Sequence, residues 1–358
     1  MRKNFLKKNF KNKKVLITGH TGFKGSWLTL WMNYNGANIL GISDKIPTKP
    51  SHFQLLGLKN KMLSKMMDIT NLKNLKKIFL NFNPDYVFHL AAQSIVKVSY
   101  EDPIKTWQTN VAGTVNVLEC LRLVKKKTTA VFITSDKAYK NLEIKRGYRE
   151  SDILKGEDPY GASKSSADIA INSYFHSYFK KKNSKVLIAT ARAGNVIGGG
   201  DWSPNRIVTD CVNSWVKNEN VIIRSPKSTR PWQHVLDVIY GYMKLAVKLK
   251  HSSRLNGEAF NFGPDKNNLK VIDVLNKMKL FWPKIGWKIK KQNKFKENNL
   301  LHLNSDKAKK ILKWSTSLNF NNSIKFTVEW YKNYLNKNTN IYKYSIKQIL
   351  NYQKIVKK

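Results

Sequence analysis

Apolar residues in the first two hundred positions follow two alternating rhythms. Val15-Leu16-Ile17-Thr18 is an apolar run of strand length, and behind it Trp27, Leu28, Leu30, Trp31 and Met32 crowd a segment of helical length. A second short strand is expected near Ile39–Ser43, after which Leu72, Leu75, Ile78, Phe79 and Phe82 recur at the three-to-four spacing of an amphipathic helix. Strands are then expected at Tyr86–Leu90, Ala130–Thr134 and Val186–Arg192, separated by long helical stretches over about 103–124 and 158–181. This alternation predicts an α/β fold built on a doubly wound parallel sheet of Rossmann type, with helices on both faces. Chemistry in such sheets lies just past the carboxyl ends of the strands.

From about Gly198 onward, loops rich in Gly, Pro, Trp and Arg break the rhythm. The expected organisation is a basic, disordered leader over 1–12 and a Rossmann-type domain over 13–195, with room for a later strand and helix to return to it. Residues 196–340 are expected to form mainly a smaller ligand-binding lobe, and 341–358 a polar, Lys-rich tail. No internal repeat is visible.

Composition adds one odd feature. Of 358 residues 41% are hydrophobic, ample for a core, yet 65 Lys and Arg against 23 Asp and Glu give a net charge of +42. Such a balance ordinarily suggests nucleic acid or an anionic membrane. Here the excess is mostly Lys, travels with Asn and Ile, and is spread along the chain, which reads as a solvated surface under compositional bias; nucleic acid is not the expected partner. The leader never reaches an apolar stretch, since Phe5-Leu6 is followed at once by Lys7-Lys8. No run approaches the roughly 18 apolar residues of a membrane span, so a cytoplasmic protein is expected. Cys120 and Cys211 are far apart and lack any CxxC partner, so neither a disulfide framework nor a metal site is expected.

Three local patterns carry chemistry. Gly19-His20-Thr21-Gly22-Phe23-Lys24-Gly25 follows the first strand and opens the first helix. Glycines at this spacing allow a tight turn, close approach of a pyrophosphate and close packing of helix on sheet, with the helix N-terminus facing the phosphates. Asp44, after the second strand, can accept from ribose hydroxyls and favours NAD, although Lys45 and Lys49 stand close by. Asp68-Ile69 either holds the adenine edge or, through Asp68, caps a helix. Leu90-Ala91-Ala92 lets backbone pass close to the cofactor, and His89 reads as a strand-end structural residue rather than a base. Tyr160 and Lys164 stand four apart on one helical face, with Ser135 one strand earlier. An ammonium beside a phenol favours the phenolate, which can then take a proton from a sugar hydroxyl.

Taken together, these motifs resemble the extended short-chain dehydrogenases/reductases, the family of nucleotide-sugar epimerases and dehydratases, over about residues 13–270. Thr134-Ser135-Asp136-Lys137 resembles the 4,6-dehydratases, and its Asp-Lys pair the branch acting on CDP-glucose. The blocks at 19–27, 88–93, 194–202 and 230–235 resemble the same branch.

The resemblance implies oxidation at C4 of the sugar with Tyr160 as base, loss of water across C5–C6 with Asp136 as acid and Lys137 at C5, and hydride return to C6 from an NAD that stays bound. It implies Gln93, Asn195, Arg206, Arg230 and His234 around the nucleotide sugar, Trp202 or Trp232 stacking or packing nearby, a homodimer, and a product feeding deoxysugar synthesis for surface polysaccharide. Two alternatives stand: another nucleotide-sugar dehydratase or a 4-epimerase, and a catalytically idle scaffold binding RNA or an acidic partner.

Overall fold

The structure, a computed structural model, describes residues 5–144, 146–223, 225–264, 269–283, 286–290 and 301–356. Strands β1 (Lys14–Thr18), β2 (Asn38–Ser43), β3 (Leu63–Met66), β4 (Tyr86–His89), β5 (Thr128–Ile133), β6 (Val186–Ala193) and β7 (Ala259–Phe262) form one seven-stranded sheet. Their order is β7-β6-β5-β4-β1-β2-β3 and every pairing is parallel, the doubly wound arrangement the alternation predicts. The order reverses between β1 and β4, which pair Thr18 with His89 at their carboxyl ends, and the crevice for a ligand opens there.

Side chains alternate across this sheet with period two, and each face has its own core. Leu16, Val87, Ala130 and Phe132 face one way, against Leu75 and Phe79 of α3 (Leu72–Phe82), Leu118 and Leu121 of α4 (Gly113–Arg122) and Ile171 of α5 (Pro159–Tyr174). Val15, Ile17, Phe88 and Val131 face the other, against Trp27 and Trp31 of α2 (Phe23–Tyr34) and Val238 and Tyr242 of α6 (Val235–His251). The two long helical stretches are continuous but locally rewound, with wider turns at Gln108–Ala112 and Phe175–Phe179.

The amino-terminal end departs from expectation, and the carboxyl-terminal end has a structure the sequence left unassigned. The leader is not disordered over its described part: Phe5–Phe10 is a helix, α1, whose Leu6 and Phe10 are buried. Leu6 and Phe10 stand four apart on one face, and the Phe10 ring lies 4.9 Å from that of Tyr86. Burying each of these side chains stabilises the docked helix by about 1.5–3 kcal/mol.

At the other end, the polar tail is helix α8 (Ile341–Ile355), which follows α7 (Phe320–Leu335) and buries Ile349 and Tyr352. Tyr352 meets Trp31 of α2 edge-on at 5.6 Å and donates its hydroxyl to Asp237 of α6 at 2.8 Å. A Lys-rich sequence hid this because the apolar stripe is narrow and aromatic.

Asp237 is fully buried and also accepts the N–H groups of Ser317 at 2.7 Å and Leu318 at 3.4 Å. Burial pushes its pKa up to about 7. An unfolded Asp titrates near about 4, so stability is fully present below that pH and is lost as pH rises toward about 7, where the folded carboxyl ionises. We expect the melting temperature of Asp237→Asn, relative to wild type, to rise by several degrees between these limits. A difference that stays flat with pH would show that this carboxyl does not set the acid–neutral stability profile.

Candidate active site

β1 ends at Thr18 and the chain turns at Gly19, φ +74°, into α2. A Cβ at Gly19 would lie 2.7 Å from the Ala91 backbone nitrogen, and one at Gly25 would lie 2.0 Å from the Gly19 carbonyl oxygen. Only glycine permits a turn packed this closely against both the segment after β4 and the first turn of α2. Gly22 occupies the N-cap position, so no side chain caps the leading N–H groups of α2, an arrangement suited to an anion. Thr21 stitches the turn to the end of β2, donating its hydroxyl to the Lys45 carbonyl at 2.7 Å and its N–H to Ser43 at 3.3 Å. The Phe23 ring lies against Gly198, where an added Cβ would come within 3.2 Å.

Asp44 is exposed just past β2. Asp68 accepts from Lys105 at 2.6 Å and from the Thr70 N–H at 2.9 Å. Burial raises its pKa, but these two partners outweigh that and hold the carboxyl below its usual range. Asp68 caps no helix: Asn71 does so for α3, accepting from the Asn74 N–H at 3.1 Å. Ile69 is buried beneath Gly113, where a Cβ would meet it at 2.5 Å. Leu90 and Ala91 donate their N–H groups to the Thr18 carbonyl and hydroxyl at 3.0 and 3.2 Å, and half-buried Ala92 follows. His89 uses both ring nitrogens, on Thr18 at 2.7 Å and Thr114 at 3.0 Å, and burial lowers its pKa to about 3, a neutral structural residue. A tight glycine turn, an uncapped helix N-terminus, an acid after β2 and small residues after β4 fit a dinucleotide.

Beside this cradle, Ser135 follows β5, and Tyr160 and Lys164 project from α5. Asp158 caps that helix, accepting from the N–H groups of Tyr160 and Gly161 at 3.1 and 3.0 Å, which fixes the turn carrying the phenol. Ser135 donates to Asp136 Oδ1 at 3.0 Å and accepts the Lys137 N–H at 3.2 Å, and Lys164 Nζ donates to the Ile133 carbonyl at 3.4 Å. Ser135, Asp136, Tyr160 and Lys164 are buried and Lys137 is half-buried.

Lys164 was expected to pull the phenol pKa down; in the structure the larger influence on each group is burial. Burial dominates both groups: it pushes Tyr160 up to about 12, against the Ser135 hydroxyl and Arg206, and it pushes Lys164 down to about 7, helped by Lys24 and opposed by Asp168. Burial also raises the Asp136 pKa, against Lys137. Asp136 Oδ2 has no partner among the described residues, and a Cβ at Gly194 would sit 2.8 Å from it. A buried carboxyl with a raised pKa and one free oxygen can hold a proton and deliver it.

Of the five residues expected around the nucleotide sugar, two act on the catalytic groups and a third follows β6. Arg206 donates to Asp201 at 2.6 Å while its charge acts on Tyr160, the charge of Arg230 acts on Asp136, and half-buried Asn195 follows β6. The other two are engaged elsewhere. Gln93 spends its side chain internally, donating to Thr106 at 3.0 Å and accepting the Ile95 N–H at 2.6 Å, so it shapes the loop after β4. His234 is fully buried, caps α6 through the Leu236 N–H at 3.3 Å and meets Phe326 edge-on. Trp202 and Trp232 pack: the first lies edge-on to Tyr331 at 5.2 Å, and the second donates its indole N–H to the Leu269 carbonyl.

Sequence reasoning assigned no role to Lys24, Asp168 or Asp201. Lys24 is half-buried inside the glycine motif, and burial lowers its pKa to about 8, with Arg206 adding to the effect and Asp136 and Asp201 opposing it. Its place between two motif glycines, Asp168 one turn beyond Lys164, and Asp201 closing the glycine run at 198–200 were the available signals.

Sheet and site together are those of the extended short-chain dehydrogenases/reductases. Residues 16–327 match the family described as GDP-mannose 4,6 dehydratase, and the chain belongs to it. It is 40% identical over 331 residues to the CDP-glucose 4,6-dehydratase of Salmonella typhimurium, covering 91% of this chain and 92% of that protein. It is 24% identical to the UDP-glucose 4-epimerase of Mycoplasma genitalium, over 90% of this chain and 97% of the other. Among solved structures, an epimerase of Methanothermobacter thermautotrophicus superposes with a TM-score of 0.80 at 24% identity, covering 92% of this chain and 95% of the other. The dTDP-glucose 4,6-dehydratase of Bacillus anthracis in complex with NAD gives 0.74 at 21%, covering 93% and 99%.

Proposed function

We propose that this protein is an NAD-dependent hydro-lyase that converts CDP-glucose to CDP-4-keto-6-deoxyglucose. The observation that carries the reading is the buried Asp136 carboxyl, free at one oxygen and next to Lys137, set beside Ser135 and Tyr160. A 4-epimerase, which oxidises and re-reduces one carbon, has no use for an acid at a departing hydroxyl. The 40% identity to a CDP-glucose 4,6-dehydratase supports the choice of nucleotide.

NAD would be held by the Gly19–Gly25 turn, Asp44, Asp68 and the segment after β4, and would supply the acceptor for hydride from C4, the donor of hydride to C6 and, in its oxidised form, a positive charge that favours the phenolate. Tyr160, as phenolate, takes the proton of the C4 hydroxyl, and Ser135 orients that oxygen. The ketone at C4 makes the C5 hydrogen acidic. Lys137, in its free-amine form, takes that proton, the C6–O bond breaks, and Asp136 gives its proton to the departing hydroxyl, so that water leaves. As C6 accepts hydride, the proton on Lys137 returns to C5, and by exchange with solvent Tyr160 gives up the proton it gained while Asp136 regains the one it lost. Arg206 and Arg230 pair with the diphosphate through their planar forks, and Asn195 donates to it.

The decisive experiment incubates the purified protein in parallel with CDP-glucose, dTDP-glucose, GDP-mannose and UDP-glucose, following the alkaline absorbance of a 4-keto product and the mass lost as water. CDP-glucose alone is expected to react. Conversion of a different sugar nucleotide would keep the chemistry and replace the substrate, and the absence of dehydration from any would overturn the reading.

We further read the protein as a cytoplasmic homodimer in deoxysugar synthesis for surface polysaccharide. None of the described helices is long and apolar enough to cross a membrane. Tyr100, Ile104, Trp107 and Ile169 expose large apolar surface on mutually packed helices that include α5, and a second copy is the occupant we assign to that face. Sedimentation velocity should give twice the chain mass, and Ile104→Glu should halve it.

A further inference from the structure

The loop Ser135–Ala138, which carries three of the catalytic side chains, is gripped at both ends by a single buried ion pair. Arg192 of β6 and Asp168 of α5 form two parallel hydrogen bonds, Nε to Oδ2 and Nη2 to Oδ1, each 3.0 Å, and both side chains are about 95% buried. On the near side of the loop, Thr134 donates its hydroxyl to Asp168 Oδ2 at 2.8 Å. On the far side, Arg192 Nη1 donates to the Tyr139 hydroxyl at 2.7 Å, and the guanidinium lies 5.0 Å from the centre of that ring. Asp168 also lies one helical turn beyond Lys164, whose ammonium reaches back to the Ile133 carbonyl.

We propose that the Asp168–Arg192 pair is a positioning device that sets the catalytic loop against α5, holding Ser135, Asp136 and Lys137 in register with Tyr160 and Lys164. Breadth of contact distinguishes this from an ordinary structural ion pair. The two residues bond to positions immediately before and after the loop, and they come from two elements that flank it. A bidentate fork between planar groups fixes orientation as well as distance, which a Lys or an amide in either place would not reproduce. Misplacing reacting groups by about an ångström costs up to about a hundredfold in rate.

The charge of Asp168 adds a second consequence. Around Lys164 the titratable neighbours are Asp168, which favours the ammonium, Lys24, which opposes it, and His89, which is neutral. Removing the Asp168 carboxylate leaves Arg192 unbalanced and shifts Lys164 toward the free amine at lower pH.

The test compares wild type with Asp168→Asn, Thr134→Val and Tyr139→Phe. Two readouts are used: hydrogen–deuterium exchange of peptides spanning 134–139, and the pH profile of kcat on CDP-glucose. All three variants should exchange faster in that segment. Thr134→Val and Tyr139→Phe should lower kcat several-fold with KM within about twofold and the profile unmoved, whereas Asp168→Asn should lower it more and carry its alkaline limb to lower pH. If Asp168→Asn does not fold, the two milder variants decide the matter. Wild-type exchange in all three, or unchanged kcat in the two milder variants, would overturn the proposal. The pH readout rests on the dehydratase reading; the exchange readout does not, so a wild-type protein inert toward CDP-glucose would sink that reading while leaving the positioning role to be judged by exchange.

Discussion

Replacing Tyr160 with Phe should reduce kcat on CDP-glucose by about 10²–10⁴-fold, the range by which a positioned proton-transfer group accelerates such a step. The substitution removes a single oxygen from a side chain already buried and held by the Asp158 cap, so packing should be preserved and the melting temperature little changed. Because the hydroxyl acts before the sugar is oxidised, every later event should fall together. Deuterium placed at C4 should not migrate, and no solvent deuterium should enter C5. Activity within about tenfold of wild type would assign the base elsewhere and remove the phenol from the mechanism.

Asp136→Asn should separate the reaction into halves. Asparagine keeps the shape of the carboxyl but cannot supply a proton, so oxidation at C4 and proton removal at C5 should survive while departure of the C6 hydroxyl slows by about 10²–10⁴-fold. In heavy water the recovered CDP-glucose should then carry a single deuterium at C5 and show no loss of water. The pH dependence follows from the same carboxyl. Burial raises its pKa, so the protonated, active form persists to higher pH than for an exposed Asp and disappears as pH rises through that raised value. Wild-type dehydration should therefore fall toward alkaline pH more steeply than the residual C5 exchange of Asp136→Asn, which does not need that proton. Full dehydration by Asp136→Asn would transfer the acid role to another group.

Much of this geometry was legible in residue order, because short-range patterns encode it. Apolar runs four to six long separated by helix-period segments specify a parallel sheet almost by themselves, and the glycine spacing at 19–25 specifies a turn that no Cβ could enter. Spacing also placed Tyr160 and Lys164 on one helical face. What remained hidden depends on contacts made far along the chain. Charge states did not follow from proximity: Lys164 was expected to lower the Tyr160 pKa, and removal from water is the larger influence on both. Gln93 and His234 sit within motif-like blocks, yet their side chains are consumed by neighbours that a linear reading cannot see, Thr106 and Ile95 for one and Leu236 for the other. The leader was misread and the tail left unassigned because Lys dominates both, although two well-spaced apolar residues dock α1 and a few aromatics dock α8.

The placement of α8 bears on how the protein emerges from the ribosome. Trp31 lies in the first helix after the glycine turn, yet its ring is closed over by Tyr240 and Tyr352, and the sheet gains its last strand only with residues 259–262. Synthesis at about 5–20 residues per second leaves many seconds during which the nascent amino-terminal half has its strands but lacks the helices that cover one face. That half should therefore expose Trp27, Trp31 and Val15 as a sticky surface until the chain is nearly complete.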